Sequence, residues 1–144
     1  AIGRASLRRT SQGLNRRRAI YNRLRNAATQ AKSGLFQVQR IPEAVHANGQ
    51  NLALRWAGEA SIETVIRRFA RLGIEARRYF SPPLHHMDAF AQEADLRVTE
   101  DLGRRILCLP LYTSMSAHEV ERVEAAIETV AIEFAAEQLA EADE

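Results

Sequence analysis

Apolar side chains recur along this chain at two different periods, and the alternation of those periods sets out its elements. Ile20, Leu24, Ala27 and Ala31 stand three or four residues apart, which lines them along one face of a helix. With Gly34 as a stop, the pattern predicts a long helix over 7–32. Gly13 weakens it locally, because a glycine inside a helix costs about 1 kcal/mol relative to alanine. Residues 36–41 then alternate apolar and polar, as a strand does, until Pro42 ends the ladder. The stretch around His46, Asn48 and Gly49 reads as a loop, and Leu52-Ala53-Leu54-Arg55-Trp56 as a second strand. Ser61 is placed to cap a helix whose stripe is Ile62, Val65, Ile66, Phe69 and Leu72, with Gly73 as its end.

The second half continues with a third strand over 74–80, broken by Ser81-Pro82-Pro83. A short helix follows, with Thr99 as the expected cap, Glu100 and Asp101 at its start, and Arg104 and Arg105 at its end, signs that suit the helix dipole. Residues 106–109 form a brief apolar strand closed by Pro110. Ser116-Ala117-His118-Glu119 is a capping box for a last helix that carries Val120, Val123, Ile127, Val130 and Phe134 on one face. The order helix, two strands, helix, strand, helix, short strand, helix defines an α+β fold. A small antiparallel sheet is expected, with helices packed on one side.

The chain has 144 residues, enough for one core. Hydrophobic residues make up 46% and charged residues 26%, the balance of a globular domain rather than a disordered chain. No apolar run reaches the roughly 18 residues that a membrane helix needs. The single cysteine, Cys108, sits in Ile-Leu-Cys-Leu and reads as a small buried hydrophobe, with a reactive thiol as the alternative. A cytoplasmic setting is expected. The chain starts at Ala1 rather than Met, which favours a piece of something longer over loss of an initiator Met.

A net charge of +2 conceals a strong asymmetry. Residues 1–40 hold no Asp or Glu but carry a run of arginines that includes Arg16, Arg17 and Arg18. From Ser116 onward Glu predominates and Arg122 is the lone base. A basic segment can meet nucleic acid or an acidic element of its own protein. The acidic last helix favours the second, and aromatic residues at only 6% offer no stacking platform to accompany the arginines.

Little in the sequence resembles a catalytic motif. No glycine-rich phosphate loop and no nucleophile motif is present. His85 and His86 are adjacent, so on a helix or strand they would point apart, and no metal site is expected. The segment Gly73-Ile74-Glu75-Ala76-Arg77-Arg78-Tyr79-Phe80-Ser81-Pro82-Pro83-Leu84-His85 stands out instead. A strand runs into a loop that prolines stiffen, with arginines, a tyrosine and a histidine gathered at its end. Arg binds carboxylate or phosphate in two-point fashion, and Tyr and His hydrogen-bond hydroxyls. An edge strand with solvated arginines is the plainer reading of the same residues.

This segment resembles one in the DegT/DnrJ/StrS family of pyridoxal-phosphate (PLP) sugar aminotransferases. Gly13-Leu14-Asn15-Arg16-Arg17-Arg18-Ala19-Ile20-Tyr21 is similar to the helix that leaves that family's large domain. Ile41-Pro42-Glu43-Ala44-Val45 with Asn48-Gly49-Gln50, then Leu107-Cys108-Leu109-Pro110-Leu111-Tyr112, and His118-Glu119-Val120-Glu121-Arg122-Val123 are similar to later pieces in the same order. The resemblance implies a C-terminal small domain over 35–144, joined by a connecting helix over 1–34 to a large domain that this chain lacks. It implies a homodimeric parent enzyme that uses PLP, held on a large-domain lysine, to move an amino group from glutamate onto a nucleotide-linked keto sugar. Lys32, the only lysine, falls outside any matching motif, so no catalytic residue and no cofactor are expected for this chain alone. Tyr79, His85 and Asn48 are the implied substrate contacts, although many relatives have His-Tyr where this chain has Tyr79-Phe80. The competing readings are an arginine-rich module that binds nucleic acid and a free-standing partner-binding domain without catalysis.

Overall fold

Alternation along the chain becomes a three-stranded antiparallel sheet with one face sealed by helices. The computed structural model describes every residue except Ala1, Lys32, Glu43, His46, Phe80, Ala91, Gln92, Asp143 and Glu144. At the start of the first helix the side chains of Ile2, Arg4, Ala5, Ser6, Arg8 and Arg9 are also outside the description. The elements are α1 (Ile2–Gln30), β1 (Phe36–Val38), β2 (Leu52–Trp56), α2 (Ile62–Arg71), α3 (Arg97–Arg105), β3 (Ile106–Leu109) and α4 (Ala117–Ala142). Short 3₁₀ turns at Leu84–His86 and Asp88–Phe90 precede α3.

The sheet order is β1-β2-β3. β2 is central, pairing Phe36 with Trp56 on one side and Leu52 with Leu109 on the other. Strand alternation sends Leu52, Leu54 and Trp56 to the buried face and leaves Ala53 and Arg55 on the other. Ile20, Tyr21 and Leu24 of α1, Val65 and Phe69 of α2, and Val123, Ile127, Val130 and Phe134 of α4 close over that buried face. Aromatic rings tie the layers together: Phe36 lies 5.3 Å from Trp56 and 5.8 Å from Phe69, and Trp56 lies 4.9 Å from Phe134, all tilted.

Several local devices hold as the sequence predicts. Ser61 Oγ accepts from the Thr64 N–H at the start of α2. Gly73, at φ +72°, ends that helix, with its N–H on Ala70 O and the Ile74 N–H on Phe69 O, the two bonds of a Schellman cap. Ser116 and Glu119 form a reciprocal capping box, in which Ser116 Oγ accepts from the Glu119 N–H and Glu119 Oε2 accepts from the Ser116 N–H.

Other expectations need correcting. α1 starts at Ile2, five residues earlier than the pattern predicts, and runs through Gly13 unbroken to Gln30; Lys32, the expected last residue, lies outside the described residues. β1 stops at Val38 rather than 41, because β2 offers it partners only from Leu54 to Trp56. The strand expected over 74–80 reduces to a single bridge between Arg77 and Cys108, with N–H···O distances of 2.9 and 2.7 Å, and Phe80 lies outside the described residues. Thr99 does not cap α3, which begins two residues earlier behind Leu96 without a side-chain cap. Nor do all helices share one side: Asp101 of α3 takes Arg55, which stands on the face of β2 away from the core.

The charge asymmetry resolves into contacts inside the chain. Arg23 Nε donates to Glu124 at 3.0 Å, joining α1 to α4, and Arg68 pairs with Glu133 and Glu137, joining α2 to α4. Arg16 reaches Met115 O at 2.9 Å, Arg17 reaches Thr113 Oγ1 at 3.3 Å, and Arg18 reaches Ala47 O at 2.9 Å. The arginine triplet therefore pins the two loops that lead into β2 and α4.

Candidate functional site at the proline loop

The loop after Tyr79 is fixed to α3 by shape and by charge. Gly103 is buried, and a β-carbon there would meet Pro83 Cγ at 3.0 Å, so only glycine lets the proline lie this close to the helix. Arg78 donates to Gly103 O at 2.7 Å and pairs with Glu63 of α2. α3 in turn is held to the sheet, because Asp101 Oδ2 accepts from both Arg55 Nε and Nη2, at 3.0 and 2.9 Å, while Oδ1 accepts from Arg105. The Arg55 bonds, reinforced by the charges of Arg55 and Arg105, hold the Asp101 carboxyl below its ordinary pKa.

On this frame the turn Leu84–His86 brings two histidines together. Their ring centroids are 4.1 Å apart and tilted by 58°. His85 Nε2 lies 3.5 Å and His86 Nε2 3.7 Å from the same oxygen, Glu100 Oε1 of α3. The side chain of His85 is 8% exposed, that of Glu100 30% and that of His86 50%, so the cluster is closed on the His85 side and open on the His86 side. The expectation that adjacent histidines point apart is thus corrected: it holds for a helix or an extended strand, and these two sit in a 3₁₀ turn. His86 and Glu100 are functional candidates that sequence reasoning missed, since Glu100 was legible only as a favourable charge at a helix start.

Of the expected substrate contacts, Tyr79 is 38% exposed and follows the Arg77 bridge. The Arg77 guanidinium has its pKa raised by hydrogen bonds to Glu75 first and Tyr79 second. His85 follows six residues later. Asn48 lies elsewhere. It precedes Leu52, which pairs with Leu109, whereas Tyr79 runs antiparallel to β3 toward Ile106. The register therefore puts Asn48 at one end of the sheet and Tyr79 and His85 toward the other. There Asn48 Oδ1 accepts from the Gln50 N–H at 3.0 Å, and Gly49, at φ +64°, lies against the backbone of Arg17. A concavity of about 1020 Å³ between α1 and α4, lined by Arg23, Gln30, Glu124 and Ile132 among others, holds none of the three.

This arrangement of sheet and helices is that of the smaller part of PLP-dependent aminotransferases. It superposes on the aminotransferase TlmJ of Streptoalloteichus hindustanus with a TM-score of 0.79 at 24% identity, covering 90% of this chain and 34% of that one. DesV of S. venezuelae gives 0.79 at 17% identity, with 89% and 34% covered, and an aminotransferase from Psychrobacter cryohalolentis gives 0.77 at 19%, with 92% and 38% covered. Residues 1–128 match the model of the DegT/DnrJ/EryC1/StrS aminotransferase family, and the chain belongs to that family. The Mycobacterium tuberculosis protein Rv3402c is 39% identical over 70 residues, which are 44% of this chain and 17% of that protein. The chain thus spans about a third of the solved relatives and a smaller share of the curated one.

The family's cofactor is PLP, which such enzymes hold as a Schiff base on a lysine. The sequence has one lysine, Lys32, and it lies outside the described residues. Among the described residues no helix is long and apolar enough to cross a membrane.

Proposed function

We propose that this chain is the substrate-side small domain of a PLP-dependent aminotransferase acting on a nucleotide-linked keto sugar, with glutamate as amino donor. The observation that carries the reading is the family match over residues 1–128, on a fold that accounts for about a third of complete aminotransferases. The remaining two thirds of such an enzyme would supply the lysine and hold PLP; the cofactor's chemistry, when bound, is to stabilise the carbanion formed as the amino group is moved. Residues 1–34 act as the helix connecting the two parts, although Ile20, Tyr21, Leu24 and Ala28 belong to the core of the small one. The enzyme works in the cytoplasm as a homodimer.

In this reading Tyr79 and His85 line the sugar pocket and Asn48 contacts substrate as well. Asn48 stands toward the other end of the sheet from Tyr79 and His85, so its contact is a separate one in this reading. A contact surface stiffened by packing holds its geometry better than a mobile loop, and Pro83 against Gly103 supplies that stiffness.

Two measurements test the proposal. PLP added to this chain alone should give no internal-aldimine absorbance and no transamination; a borohydride-reducible band with turnover would refute it. In the longer enzyme, His85→Ala should slow the sugar half-reaction and spare the glutamate half-reaction. A neutral hydrogen bond of about 0.5–1.5 kcal/mol corresponds to roughly a two- to tenfold effect. Single-turnover kinetics separate the halves, and unchanged sugar affinity and rate would remove His85 from the pocket.

A further inference from the structure

We propose that His85, His86 and Glu100 form a binding site for a divalent first-row transition ion of the zinc type, with one coordination position left open. The inference goes beyond the aminotransferase reading and does not rest on it.

Distance is the first argument. Nε2 of each histidine stands 3.5 and 3.7 Å from Glu100 Oε1, longer than the 2.7–3.2 Å typical of an N–H···O hydrogen bond. All three potential ligand atoms lie within 4.8 Å of one another. A tetrahedral ion with bonds of about 2.0–2.2 Å separates its ligands by roughly 3.4 Å. Contraction by a few tenths of an ångström therefore suffices on the two histidine–glutamate edges.

Unmet bonding capacity is the second. His85 Nε2 is fully buried and has no hydrogen-bond partner among the described residues, in a side chain only 8% exposed. A buried polar atom normally finds a partner. This one faces a carboxylate it does not bond, and a cation between them would satisfy both. The carboxylate also fixes the sign of the ligand, since an anion placed here would meet Glu100.

Support is the third. The turn carrying both histidines is anchored by Pro83 on Gly103, one helical turn from Glu100 on α3, and Arg78 ties the preceding segment to the same Gly103 carbonyl. The two ligand-bearing elements are thus held against each other independently of any ion, as a usable site requires.

Ligand chemistry selects the ion. Two imidazoles and one carboxylate suit Zn²⁺, or Ni²⁺ and Cu²⁺, better than Mg²⁺ or Ca²⁺, which prefer oxygen donors. Three protein ligands with an exposed His86 side leave a position for water or a hydroxyl-bearing ligand. Titrating metal without sugar keeps a failure here apart from a failure of the aminotransferase reading.

The test uses the full chain, freed of metal by chelation and titrated with Zn²⁺ by calorimetry, with Co²⁺ as the spectroscopic probe. A stoichiometric Zn²⁺ should bind, Co²⁺ should show the visible bands of a four-coordinate site, and Mg²⁺ should not compete. His86→Gln and Glu100→Gln replace partly exposed side chains and should each weaken Zn²⁺ by more than the roughly 10–100-fold cost of losing an outer-sphere partner, with circular dichroism unchanged. His118→Gln, on the exposed start of α4, should bind as the parent does. Absence of saturable binding by the parent, or binding that survives both site substitutions, would overturn the assignment and leave the cluster an ordinary contact between imidazoles and a carboxylate.

Discussion

Gly58→Ala is expected to destabilise this domain by far more than a single methyl group suggests. A β-carbon at Gly58 would fall 2.4 Å from Trp56 Cζ2, 2.8 Å from Cε2 and 3.1 Å from Cη2, whereas carbon atoms rest at about 3.5–4.0 Å. The φ at Gly58 is not in the left-handed region, so the effect is steric and owes nothing to backbone strain. The indole has little room to retreat. Trp56 is 1% exposed, it lies against Phe36 and Phe134, and its Nε1 donates to Ala60 O at 2.8 Å. Overpacking of a close-fitted core costs about 1–3 kcal/mol, and disturbing the indole hydrogen bond adds about 0.5–1.5 kcal/mol, together roughly 2–4 kcal/mol. At about 2–4 °C per kcal/mol for a domain of this size, Tm should fall by about 5–15 °C. Trp56 is the only tryptophan, so its emission reports on the perturbed site in the same thermal or urea melt. Gly3→Ala is the control: nothing lies within 4 Å of its β-carbon, and in a helix the change should be neutral or stabilising. Equal melting of Gly58→Ala and the parent, with unshifted emission, would refute the packing argument.

Three further outcomes are expected. Glu119 has its carboxyl held down to about 2, chiefly by the Tyr112 hydroxyl and then by the Ser116 N–H and hydroxyl. A depressed folded pKa contributes stability above the unfolded value of 4.5 and loses it as pH falls toward 2, so Glu119→Gln should lower Tm at pH 7 and cease to matter near pH 2; an offset independent of pH would contradict this. Cys108 is buried and its thiol pKa is pushed up by desolvation, so a thiol reagent should modify it much more slowly in the native chain than in denaturant, and equal rates would show that it is accessible. Duplex DNA should bind no more tightly than about 10⁻⁶ M at physiological salt, the non-specific range, as titration of a labelled duplex would show; tighter binding would revive the nucleic-acid reading.

Where the sequence was legible, the signal was local. A 3.6-residue apolar stripe, a serine three residues before a helical N–H, a glycine at a helix end and a Ser-x-x-Glu box each act over one turn, and α2 and the start of α4 follow them closely. What was misjudged depends on partners distant in sequence. β1 is short because β2 gives it three partners, and the run after Gly73 pairs at one residue because it meets β3 only at Cys108. Neither limit is encoded in the strand that suffers it. The arginine triplet shows the same thing from the charge side. Its composition suggests an acidic element of the same protein as partner, and the contacts are indeed within the chain, but Arg16 and Arg18 reach carbonyl oxygens and Arg17 a hydroxyl rather than carboxylates.

The site divides along the same line. Its backbone was legible, since two consecutive prolines after an extended run mark a rigid loop, and the family resemblance fell on those residues. Its chemistry was not, because the cluster needs Glu100, and nothing between His86 and Glu100 indicates that α3 turns back onto the loop. The residue that permits the approach is Gly103, inside α3. In the fold it is the seat for Pro83 and, through its carbonyl, the anchor for Arg78. A substitution at Gly103 therefore acts on His85, His86 and Glu100 together without touching any of them, by moving α3 away from the turn that carries the two histidines.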